Sequence, residues 1–248
     1  MLSERKGKLM QKKEMLSLPE LVPPKHVRLK FRKVGKLQYI SHLDLQRAFN
    51  RILVRACVPV WYTQGFNPHI KLVFSTPLSV GSESVCEYLD IRLSREMPFE
   101  EIKERLNAEM TDEFCITEVY EPKNDFSSIA YASYDIRIYT SGANDELAKG
   151  IEIALNTSPI NMIKKGKAGE REIDITELIK SAEASYCAED ESVVLKVVLS
   201  ASSTQYLNPE MLITALKDKC GILMGDPTKE HYSILRTSLK KDDMSDFS

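Results

Sequence analysis

Residues 27–59, VRLKFRKVGKLQYISHLDLQRAFNRILVRACVP, decide how this chain is read. Val27, Leu29 and Phe31 alternate with Arg28, Lys30 and Arg32, so Val27–Lys33 reads as a strand with one apolar and one basic face. Gly35 turns the chain. Ser41 stands where a helix N-cap belongs, and Asp44 three residues on resembles a capping box with Asp in place of Glu. Leu43, Ala48, Ile52 and Ala56 lie close to one helical face, which Leu45, Phe49 and Leu53 widen. Arg47, Arg51 and Arg55 recur at every fourth position and form a basic ridge. Val58-Pro59 ends the helix.

Downstream, the turn formers Gln64-Gly65-Phe66-Asn67-Pro68-His69 make a loop. Strands are expected at 70–75 and 87–93, then a helix from Pro98 to about Met110 with Phe99, Ile102 and Leu106 inward, then a strand at 116–120. That order is β-α-β-β-α-β, the ferredoxin-like pattern. The second half repeats it in topology, without sequence identity. Strands are expected at 134–139, 160–164, 193–200 and 232–239, helices at 145–155 (capped at Asn144) and 209–217, and a hairpin-like insert at roughly 165–190. The fold expected is therefore α+β, two tandem ferredoxin-like units with antiparallel sheets. The boundaries are a flexible extension at 1–24, units at 25–124 and 125–240, and a disordered tail at 241–248.

The net charge of −2 conceals a segregation. Residues 1–75 carry 15 Lys and Arg against 4 Asp and Glu; residues 76–125 carry 5 against 13. A basic opening third suits a polyanionic partner such as RNA, and equally a solvated basic face. No run approaches the ~20 apolar residues of a membrane span, and the N-terminus has no signal-peptide core, so the expected residence is cytoplasmic with no membrane partner. The cysteines, Cys57, Cys86, Cys115, Cys187 and Cys220, are odd in number and form no C-x-x-C. That argues against a disulfide framework, a zinc ribbon or an iron–sulfur cluster carried by this chain. No phosphate loop or dinucleotide fingerprint occurs, so no cofactor is expected.

The polar residues of interest gather around the first helix. Ser41 and His42 sit at its mouth, where backbone N–H groups can hold a phosphate. Tyr39, Gln64, Asn67 and His69 are expected nearby, and Glu87 can join them. Phe66 on its loop can stack on a base, while Arg28, Arg32 and Lys33 can meet a nucleic-acid backbone. His42 and His69 are the candidate acid and base, since imidazole titrates near neutrality. The competing structural reading makes Ser41 a cap, Asp44 a favourable charge on the helix dipole, and Gly65, Asn67 and Pro68 shapers of a turn. A metal site from His42, His69 and a carboxylate ranks last, since the spacing of the histidines is not diagnostic of one.

The runs F-R-K-x-G, S-H-L-D-L, Q-G-F-N-P-H and P-L-x-x-G-x-x-S-x-x-E-Y-x-D, all within residues 29–93, are similar to those of the bacterial radical-SAM-linked protein family, a domain of unknown function. The stretch Gly169–Ile179 resembles a later family segment, with Thr176 where the family often has Arg. The resemblance implies a chain that acts beside, or fused to, a radical SAM protein as its partner. Three functions follow as expectations. The chain is an accessory RNA-binding or substrate-presenting protein in RNA modification. Alternatively it is a metal-independent endoribonuclease resembling CRISPR repeat-processing enzymes, which share the tandem arrangement. Alternatively it is a protein-interaction module only.

Overall fold

A computed structural model describes residues 7, 10, 18–157, 159–166 and 169–248, with the side chains of 163–172 excepted. The fold is mixed α+β with antiparallel sheet pairing. The chain divides into two compact units: Met1–Val80 with Ser84–Asp125 and Ser248, and Gly81–Glu83 with Phe126–Phe247.

The first unit runs β1 (Lys25–Lys33), α1 (His42–Arg55), β2 (Val73–Phe74), β3 (Ser82–Leu93), α2 (Phe99–Asn107) and β4 (Phe114–Tyr120). β1 pairs antiparallel with both β3 and β4, and β2 pairs antiparallel with β3. The strand order is thus fourth, first, third, second. Val27, Leu29 and Phe31 are buried as their alternation requires, against Leu45, Phe49 and Leu53 of α1 and Ile102 and Leu106 of α2. The helix therefore buries the stripe expected to widen its face, while Leu43 points outward. Phe31, Phe49 and Phe114 meet edge to face, with centroids 5.0–5.8 Å apart, and Phe74 joins them from β2 at 5.8 Å from Phe49. Such pairs contribute about 0.5–1.5 kcal/mol each beyond their area. Asn107 at the end of α2 latches β4, donating to Ile116 O and accepting from Ile116 N.

Three expectations need correction here. The strand expected at 70–75 reduces to Val73–Phe74, because the Ile70 backbone turns back to bridge Tyr62. Arg28 does not face solvent. It is fully buried, with Nε and Nη2 each 2.7 Å from the Asp90 carboxylate and Nη2 also donating to Asn124 O. Lys33, 3% exposed, donates to the carbonyls of Leu37 and Gln38. Burial pushes the neighbouring Tyr120 hydroxyl up to about 12, so it stays protonated.

The second unit runs β5 (Tyr131–Tyr139), α3 (Asp145–Asn156), β6 (Asn161–Gly166), β7 (Gly169–Asp174), β8 (Ile179–Cys187), β9 (Ser192–Ser200), α4 (Pro209–Cys220) and β10 (His231–Lys240). β5 pairs with β10 and β9, and β9 with β8, all antiparallel. β6, expected in this sheet, instead pairs only with β7 as a two-stranded hairpin, and β8 takes the sheet position. The hairpin base is clamped: the Asp174 carboxylate accepts from the N–H groups of Ile160 and Thr176 and from the Thr176 hydroxyl. These bonds, the Thr176 hydroxyl first, hold the Asp174 pKa below its usual value. Thr176 is therefore a clamp residue in this chain.

The tail expected to be disordered is ordered. Phe247 is 2% exposed, its ring packs on Phe126, and its N–H donates to Leu239 O. Leu18–Pro24 of the expected flexible extension is also tied down, through Leu21 N to Ser94 O. Apart from residues 7 and 10, the remainder of that extension lies outside the described residues.

Two outcomes test these packing claims. Asp90→Ala removes the carboxylate that meets the buried Arg28 guanidinium and should lower unfolding free energy by about 3–5 kcal/mol in urea titration. Arg28→Met combined with Asp90→Leu should cost much less, and equal losses would show that the pair is not the cause. In the second unit, Glu230 accepts from Ser141 N at 2.7 Å and Gly225 N at 2.6 Å. Those bonds, Ser141's first, hold its pKa at about 2 against an ordinary 4.5. A depressed carboxylate stabilises fully above its unfolded pKa and loses that contribution as pH falls through the folded one. The Tm gap between the natural chain and Glu230→Gln should therefore be widest above pH 4.5 and shrink toward about pH 2. A gap unchanged at pH 2 would refute it.

Candidate functional site

The candidate residues split into two places. At the mouth of α1, Ser41 caps the helix: its Oγ accepts from Asp44 N at 3.1 Å and donates to Asp44 Oδ2 at 2.7 Å. The Ser41 hydroxyl, and then Arg47, hold the Asp44 pKa below its usual value. Before the cap, Gly35 (φ +61) opens a short 3-10 turn to Tyr39. Glycine suits the left-handed backbone here, and a Cβ at Gly35 would displace the flexible end of the Glu113 side chain, 2.5 Å away. Tyr39 and His42 are exposed, and the His42 ring stands edge-on to Phe74 at 5.0 Å. The imidazole is thus seated on the rim of the phenylalanine cluster.

The second place is the loop after α1. Thr63 N donates to His69 O at 2.9 Å, and His69 N donates to Thr63 Oγ1 at 3.1 Å. The His69 side chain is exposed, with its Nδ1 facing Asn67 O at 3.0 Å and Thr63 Oγ1 at 3.1 Å. These contacts close a rigid loop whose tip, Gln64 to Pro68, is exposed, with Phe66 wholly so. At its base lie Tyr62, half exposed, and Trp61, whose ring carries the Arg92 guanidinium at 5.5 Å. Lys71 follows, exposed. His42 and His69 are thus held by different partners, and no hydrogen bond joins them among the described residues. Among those residues, too, no three His, Cys, Asp or Glu side chains are placed to hold a metal.

The strand-borne cations do not join either place. Arg28 and Lys33 are buried, and Glu87 is only 6% exposed. Arg32 Nε donates to Asp112 O. Lys25 pairs with Glu96, Lys30 with Glu118, and Arg47 and Arg55 of the helix ridge with Asp44 and Glu109. Much of the sequence's positive surplus is met by the acidic stretch that follows it.

Sequence reasoning missed a groove of about 730 Å³ between Glu20–Pro24 and the end of α1. Cys57 on its wall has φ +53. It occupies the left-handed C′ position of a Schellman motif, with Val58 N bonded to Leu53 O and Cys57 N to Val54 O, where glycine is usual. The motif ACVP showed a helix end but not a cysteine in that conformation.

A family model described as "Uncharacterized protein conserved in bacteria (DUF2344)" matches residues 26–209. The chain belongs to this family. The match begins in β1 and ends at the first residue of α4, so both places of the candidate site fall inside the DUF2344 region. None of the curated proteins matches the chain. Among solved structures, a variant of DypB from Rhodococcus jostii RHA1 in complex with heme is 11% identical. That match covers 93% of this chain and 99% of the other at a TM-score of 0.21, and carries no argument about this one. No helix among the described residues is long and apolar enough to cross a membrane.

The strain at Cys57 has a direct test. A non-glycine residue in the left-handed region costs about 1–2 kcal/mol. Cys57→Gly removes that strain, adds some unfolded-chain entropy, and should leave the DUF2344 protein about 0.5–1 kcal/mol more stable in thermal unfolding. A loss of stability would mean that the thiol's packing outweighs the backbone.

Proposed function

We propose that this chain is an accessory binding protein that presents RNA to a radical SAM enzyme for modification, and that its two units are ferredoxin-like. The strand order of each unit, with the fourth strand beside the first and the first beside the third, supports the fold. The radical SAM partner is inferred from the sequence resemblance.

One observation carries the RNA reading: the closed Thr63–His69 loop holds Phe66 wholly in solvent. A phenylalanine exposed on a loop fixed by its own hydrogen bonds loses little entropy on binding and offers a flat face to a base. The same loop and its base carry further rings and positive charge, at Tyr62, His69, Lys71 and the Arg92–Trp61 pair. This is the composition of a single-strand stacking platform rather than of a duplex-binding surface.

A protein-interaction role is the second reading, and the neutralised cations of β1 and α1 favour it. Fluorescence anisotropy with an unstructured RNA oligonucleotide separates the two. RNA binding should weaken as salt rises, and Phe66→Ala should weaken it about tenfold or more. No binding at low salt, with or without the radical SAM partner, would remove the RNA role. Capture of that partner from nuclease-treated extract would then favour the second.

A further inference from the structure

We propose that the groove beside the loop is a nucleobase pocket that takes one unstacked, uncharged base of the strand whose backbone passes Phe66. This deepens the RNA reading of the loop and rests on it. At about 730 Å³ the groove lies within the ~300–1,000 Å³ of sites that enclose small ligands. It opens directly beside the loop, since Tyr62 and Gln64 belong to both.

The chemistry of the walls selects the occupant. Val54, Trp61 and Tyr62 supply apolar and aromatic surface. Val54 is more than half exposed, an apolar side chain on the solvent side of α1 beside the exposed Arg51 and Arg55. Covering such surface is favourable by about 25 cal/mol per Å². The groove's cation is already engaged: Arg95 donates to Glu20 at 3.1 Å and to Leu18 O at 2.8 Å. A phosphate or carboxylate entering there would have to compete with Glu20, so a neutral ring is preferred. The Gln64 amide stands at the rim and makes no hydrogen bond among the described residues. It presents one acceptor and two donors, the complement of a base edge. Charge is complementary outside the groove, where His69 and Lys71 are exposed to meet phosphates. The strained Cys57 completes the wall, and backbone strain of this kind concentrates where a ligand is gripped.

The chain reports on this groove itself, because Trp61 is its sole tryptophan. The full chain is titrated with adenosine, with uridine and with a short oligoadenylate. Trp61 emission should change saturably, and alkylation of Cys57, followed by peptide mass mapping, should slow as the groove fills. Val54→Phe, a change at an exposed position, should abolish both responses. RNA that binds by anisotropy with Trp61 emission and Cys57 reactivity unchanged would overturn the pocket and leave the loop reading standing. Nucleoside responses without any binding of the oligonucleotide would support the pocket and remove the loop. Responses that persist in Val54→Phe would place the base elsewhere and overturn the proposal.

Discussion

The contact on which the first unit depends is the edge-to-face meeting of Phe31, Phe49, Phe74 and Phe114. Each ring comes from a different element: β1, α1, β2 and β4. Aromatic edges need partner faces at fixed angles, so the cluster specifies how α1 lies across the sheet as well as that it does so. Both parts of the candidate site inherit that placement. His42 rests on Phe74, and the Thr63–His69 loop spans the gap between the end of α1 and the short β2 that carries Phe74. A loop so anchored at both ends can hold a wholly exposed phenylalanine at a defined position.

Electrostatics in this unit run against the linear charge map. The opening third is strongly basic and the following stretch strongly acidic, and folding sets one against the other. Arg28 meets Asp90 in the adjacent strand, Lys30 meets Glu118 across β4, and Arg55 meets Glu109 beyond α2. Arg28–Asp90 is buried, whereas the two more exposed pairs, Lys30–Glu118 and Arg55–Glu109, add little stability, at most about 1 kcal/mol each, but remove part of the field that a free basic face would project. What remains for an anion among the described residues includes Lys36, Arg51 and Lys71, all exposed, and Arg92 beside the Trp61 ring.

Much of the fold was legible because its signals are local. The alternation in VRLKFRK, the Ser41 cap, the Asn144 cap and the run VVLKVVLS each specify an element without help from the rest. β8 was hidden because IKSAEASYC is an edge strand: Ala182 is buried, Lys180 and Glu183 are exposed, and edge strands carry polar residues for good reason. The tail was misread because its two apolar residues, Met244 and Phe247, are too few to register as a pattern, yet buried Phe247 is enough to pin the chain. At the site, the loop and the capped helix were visible, but the fate of each cation was not. Whether Arg28 is a ligand or a core residue depends on Asp90 lying opposite it, a register set 62 residues away. The groove was invisible for the same reason, since its two sides meet only after folding.

That last point bears on how the loop and the groove work as one surface. Trp61 and Tyr62 belong to a segment with two structural obligations: Trp61 N bonds Arg92 O in β3, and Tyr62 bridges Ile70 to close the loop. The backbone there is fully engaged, so the side chains are left to vary for binding. The indole and the phenol both line the groove, with Trp61 partly buried and Tyr62 about half exposed. Strain at Cys57 then has a physical purpose. A left-handed residue immediately after α1 is what turns the chain sharply enough to run Val58–Trp61 along β3 and leave the groove open beside the helix end.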